Sequence, residues 1–88
     1  MAWKRLTTYK PGVRWSTPVV VRIGYGSSEL IENAADALEL LERRWPHERD
    51  KHYLAAKQAC EAALFHSRSS SIAREAFIAA AIEAYVLA

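Results

Sequence analysis

Residues 18–38 read PVVVRIGYGSSELIENAADAL, and the pattern of this stretch changes halfway along. Pro18 opens a β-branched run, and proline suits the first position of a strand because its missing N–H is not needed there. Val19, Val21 and Ile23 share one face, while Val20 and Arg22 point the other way. Gly24-Tyr25-Gly26-Ser27-Ser28 reads as a turn, and Glu29 to Glu32 returns as a second strand, so the stretch predicts an antiparallel hairpin. Asn33 then changes the element type. Its side-chain oxygen suits a helix N-cap, and Asp36 falls near the positive end of the helix dipole.

Reading outward from the hairpin, the first helix runs from Ala34 to Arg44 or Trp45. Ala34, Ala37, Leu38, Leu41 and Trp45 lie on one stripe at helical spacing, and Pro46 ends it. A second helix is predicted from about Asp50 to Leu64 or Phe65, with Tyr53, Ala56, Cys60, Ala63 and Leu64 as its apolar stripe. Ser67 to Ser71 is a link rich in capping residues. A third helix follows from about Ile72 to near the C-terminus, with Ala73, Ala76, Phe77, Ala80, Ala84 and Leu87 on its face. After Glu75 its only charge is Glu83, and a helix apolar nearly all round asks to be buried nearly all round. The fold class is therefore α+β: an N-terminal hairpin packed on three helices, β-β-α-α-α. A lone two-stranded hairpin is marginal in water. It calls for a third strand, from the N-terminal arm or from a second subunit, and edge pairing across a two-fold axis would supply one. The partner expectation is a homodimer, or else a protein partner.

The chain has 88 residues, 51% apolar and 25% charged, which is the composition of one small globular domain. Residues 1–14 show no period and read as an irregular basic arm; residues 15–88 form the domain. The net charge of +2 hides an asymmetry. Residues 1–28 carry five cations and no acid, whereas residues 29–88 carry seven cations and ten acids. The lone Cys60 rules out an internal disulfide and fits a reducing compartment. Residues 1–8 hold no run of signal-peptide length, and the longest uncharged stretch of the C-terminal half, residues 76–82, is far short of a membrane span. The expected setting is the cytoplasm.

A wider pattern is carried by Trp15-x-x-Pro18-Val19-x-Val21, Ala34-Ala35-Asp36-Ala37-Leu38, Leu41 to Trp45-Pro46, Tyr53-x-x-Ala56, Cys60, Ala63-Leu64, and Ala73-Arg74-x-Ala76-Phe77-Ile78-x-Ala80-Ala81-x-Glu83-Ala84. It resembles the small bacterial domain-of-unknown-function 982 family over about residues 15 to 85. The resemblance implies no activity, cofactor or catalytic residue, and the arm before Trp15 lies outside it.

Each candidate for chemistry has a plain structural counterpart. Gly24-x-Gly26 lacks the third glycine of a dinucleotide loop, since Glu29 stands there, and no helix N-terminus follows it. A hairpin turn explains both glycines. His47, His52, Cys60 and His66 are spread along one helix and its ends, so they do not converge as zinc ligands. Cys60 sits mid-helix on an alanine stripe and reads as a core residue, not a nucleophile. Glu39 and Glu42 fall on a solvated helix face. No catalytic residue, metal site or cofactor site is assigned, and no cofactor is expected.

Three readings reach toward function. Arg74 opens the third helix, where the dipole does not favour a cation; it pairs with an acid elsewhere, or it joins Arg68 and the serine amides in an anion contact. Trp45 beside Arg43, Arg44 and Arg49 is a core aromatic, or, if exposed, a recognition anchor. Lys4, Arg5, Lys10 and Arg14 interleave with Trp3, Tyr9 and Trp15, a composition able to contact phosphates and stack on bases. The leading reading is an association module, and the alternative is nucleic-acid binding through the arm.

Overall fold

A computed structural model describes residues 14–46, 49–66 and 69–88. The element order is β1 (Arg14–Val21), β2 (Glu29–Asn33), α1 (Ala34–Arg43), α2 (Lys51–Phe65) and α3 (Ser70–Glu83). β1 and β2 pair antiparallel, with Val19 opposite Ile31, Val20 opposite Leu30 and Val21 opposite Glu29. The α+β hairpin-and-three-helix architecture is thus the one the hydrophobic periods dictate.

Alternation decides the faces. Trp15, Val19 and Val21 are buried against the helices, with Ile31 beside them from β2. The strand starts earlier than its proline. Arg14 pairs with Asn33, and the register shifts between Arg14 and Val19. Pro18 falls in that irregular stretch, where a missing N–H costs no regular ladder bond. Gly24 takes φ +68° in the turn, a conformation that glycine reaches without a Cβ penalty.

α1 and α3 start where their side-chain caps are. The Asp36 N–H donates to Asn33 Oδ1 at 2.8 Å, and Ser69 Oγ accepts from the N–H groups of Ser71 and Ile72. α3 therefore begins two residues before Ile72. α1 buries Ala34, Ala37, Leu38, Leu40 and Leu41, and α2 buries Tyr53, Ala56 and Cys60. At the centre Phe77 of α3 lies between two tryptophans, with ring centroids 5.9 Å from Trp15 and 5.6 Å from Trp45. Trp45 is thereby a core residue, and the reading of it as an exposed anchor is set aside.

Three expectations are corrected at the C-terminal end. α3 does not run on to Leu87; it stops at Glu83. The Val86 N–H donates to the Ala81 carbonyl and the Tyr85 N–H to the Ile82 carbonyl. This is a Schellman stop, with Tyr85 at φ 61° in the left-handed position usually given to glycine. Nor is α3 buried all round, because Ile72 and Ile82 stay exposed. The described third partner of the sheet comes from this same chain. Val21 forms an antiparallel bridge with Leu87, the Arg22 N–H donates to the Val86 carbonyl, and the Ala88 N–H donates to the Val20 carbonyl, each at 2.9 Å.

Candidate interaction surface

The free edge of β1 is closed by this chain's own side chains as well as its backbone. Beyond the C-terminal bridge, Arg74 Nε donates to the Thr17 carbonyl at 2.7 Å. That bond gives the Arg74 side chain a structural use. It ties the start of α3 to the irregular part of β1, where a carbonyl would otherwise face solvent. Arg68 lies outside the described residues, as do Lys4, Arg5, Lys10 and His47. Arg14 is exposed at the start of β1, with Nε 3.9 Å from Glu32.

Cys60 is fully buried in α2. Burial, with the Glu61 carboxylate adding to it, pushes the thiol up to about 12, so it is protonated and unreactive in the folded chain. His52 and His66 stand at opposite, exposed ends of α2. Among the described residues no three His, Cys, Asp or Glu side chains converge as metal ligands, and no described helix is long and apolar enough to cross a membrane.

Two contacts that the residue spacing does not announce set the electrostatics around β2 and α1. Arg44, the α1 C-cap, grips the Glu29 carboxylate with both terminal nitrogens, Nη1 at 3.1 Å from Oε1 and Nη2 against Oε2. The hydrogen bonds from Arg44 hold the Glu29 carboxyl below its ordinary range. The same bonds, joined by the nearby Glu39 charge, raise Arg44. In the next link, Arg49 donates to the Trp45 and Pro46 carbonyls and lies over the Tyr53 ring at 5.2 Å. The Tyr53 hydroxyl donates to the Leu41 carbonyl at 3.0 Å, locking α2 to α1.

The other side of β2 is the second edge of the sheet. The two-stranded sheet ends there among the described residues. Between β2 and α1 runs a trench of about 230 Å³, lined by Glu29, Leu30, Asp36, Glu39, Leu40 and Arg44 among others and by no residue of β1. Its charged lining is three carboxylates and one guanidinium. Leu30 on its rim is 61% exposed, and Ile72 and Ile82 on α3 are 62% and 57% exposed.

The sequence matches the model of a family described as protein of unknown function (DUF982) over residues 17–88. The chain belongs to this DUF982 family. The matched span takes in β1 from Thr17 onward, β2, all three helices and the C-terminal bridge. No curated protein and no solved structure matches the chain.

Proposed function

We propose that this DUF982 chain works by association, as a homodimer or a protein-partner module, with a second copy of itself as the first partner. The observation that carries the reading is the set of aliphatic side chains left in water on so small a fold: Leu30, Leu54, Ile72 and Ile82, each more than half exposed. Burying one such side chain contributes about 1.5–3 kcal/mol, a large share of the stability of a domain this size. The buried, protonated Cys60 and the structural use of Arg74 fit the same reading, and the lone cysteine fits a reducing, cytoplasmic setting. Size-exclusion chromatography with light scattering, diluted through the micromolar range at low and high salt, tests it. A dimeric mass that falls to the monomer on dilution is the expected result, and a monomer at every concentration overturns it.

The alternative, nucleic-acid binding through Lys4, Arg5, Lys10 and Arg14, is favoured by the five cations and no acid in residues 1–28. If all five met phosphates, log affinity for duplex DNA would fall with log salt at a slope of about −4.5. Absent or salt-insensitive binding excludes it.

A further inference from the structure

We infer that two copies of the chain pair through the outer face of α2, with the helices antiparallel across a two-fold axis. The inference rests on the self-association proposed above and names its surface.

Helix spacing sets the face. Tyr53, Ala56 and Cys60 turn one side of α2 inward against the rest of the domain. Leu54, Gln58, Glu61 and Phe65 follow one another at steps of four, three and four, the spacing of a coiled-coil seam. They fall on the side of the helix away from the buried stripe. Leu54 is 55% exposed and Phe65 56%. The two stand about 16 Å apart along the axis, so the seam is apolar at both ends and polar between. Lys57 and Glu61 are the only charges from Tyr53 to Phe65, and neither forms an ion pair among the described residues.

That order is self-complementary in one arrangement. A two-fold axis passing between Ala59 and Cys60 sets two α2 helices antiparallel, and each residue meets the one equally far beyond the midpoint. Leu54 then lies against the partner's Phe65, and Phe65 against the partner's Leu54. Gln58 stands opposite the partner's Glu61, an amide donor against a carboxylate. Lys57 falls within one residue of the partner's Glu61 on the same flank, and the symmetry makes that contact twice. A parallel pairing in register sets lysine against lysine and glutamate against glutamate, so charge selects the antiparallel copy. The apolar ends also have a seat. Between α1 and α2 lies a cavity of about 310 Å³ whose lining includes Ala35, Leu38, Leu64 and Phe65, and the partner's Leu54 arrives beside it. One helix pair makes a small contact, which places the dimer in the weak, dissociable class.

A charge exchange in the full-length chain tests this. Lys57→Glu and Glu61→Lys each put like charges at both contacts. Each should dimerise at least about tenfold more weakly than the wild type, read by light scattering through the micromolar range at low salt. The double variant K57E/E61K restores opposite charges at both contacts, as does an equimolar mixture of the two single variants. Both should return to within about threefold of wild type. Leu54→Ser, at an exposed position, should also weaken the dimer about tenfold, and circular dichroism confirms folding. If a charge variant does not fold, Leu54→Ser decides: wild-type dimerisation by this variant overturns the inference. Single charge variants that dimerise as the wild type does overturn it as well. So do a double variant and a mixture that stay monomeric while the wild type is dimeric. These results leave self-association standing through another surface, whereas a wild type that is monomeric throughout overturns both.

Discussion

Replacing Phe77 by alanine should remove close to half of the folding free energy. The side chain is fully buried and touches two indoles, one from β1 and one from the turn after α1, so a single ring joins three parts of the chain. Truncating a buried phenylalanine costs about 3–5 kcal/mol through lost transfer energy and the cavity left behind. Each ring pair adds about 0.5–1.5 kcal/mol beyond area burial, which places this position toward the upper end. At about 0.05–0.15 kcal/mol per residue, a domain of this size holds roughly 4–13 kcal/mol in all. The two buried indole N–H groups have no described hydrogen-bond partner, so the ring packing must offset their desolvation as well. Urea unfolding followed by far-ultraviolet and near-ultraviolet circular dichroism is the assay. Phe77→Ala should lower the midpoint sharply and weaken the near-ultraviolet tryptophan signal, whereas Phe77→Leu should cost much less. A loss below about 1.5 kcal/mol for Phe77→Ala would refute the view that the three-ring stack is the centre of the core.

Tyr85→Gly should raise stability by about 0.5–1 kcal/mol, because the left-handed C′ position burdens a residue with a Cβ and the tyrosine ring is solvent-exposed; thermal unfolding against Tyr85→Ala, which should not share the gain, checks it. Glu29→Gln should flatten the acid limb of the stability curve. The folded-state pKa of Glu29 lies below its ordinary 4.5, so the stabilisation from the Arg44 pair is present in full above 4.5 and is lost as pH falls through the folded pKa; wild type and variant should start to converge below 4.5 and meet below the folded pKa in urea titrations. The thiol of Cys60, pushed up to about 12 by burial, should resist iodoacetamide at pH 8 in the native chain and react once urea unfolds it; mass spectrometry reads the adduct, and rapid native labelling would contradict the burial.

The hairpin, the Asn33 cap and the buried stripe of α1 were legible because each rests on local chemistry: alternation in β1, an amide side chain three residues before Asp36, and apolar spacing through Leu38 and Leu41. The end of α3 was not. A helix stop is usually marked by glycine, and here Tyr85 takes that backbone conformation, so Ala84, Tyr85, Val86 and Leu87 read as more apolar helix. The pairing of residues 86–88 with β1 has no local signature at all, since its partner lies at the opposite end of the sequence. Arg74 stands out in the sequence as a cation near a helix N-terminus; its partner is the Thr17 backbone carbonyl, which no residue-type pattern encodes. The trench beside β2 was hidden for the same reason: Glu29 and Arg44 are fifteen positions apart and meet only after the hairpin folds onto α1.

The bridge between Val21 and Leu87 has a kinetic meaning. It closes a loop of roughly 65 residues containing β2 and all three helices, and ordering such a loop costs about 4 kcal/mol of chain entropy, which must be spent before the contact repays it. The helices and the hairpin turn can form early from nearby residues, but the clasp that seals the sheet can close only when both extremities of the domain meet. The same clasp makes release costly, because opening it frees the two ends together. The amide hydrogen of Arg22, held by the Val86 carbonyl across that seam, should therefore exchange with solvent more slowly than those of the turn between β1 and β2.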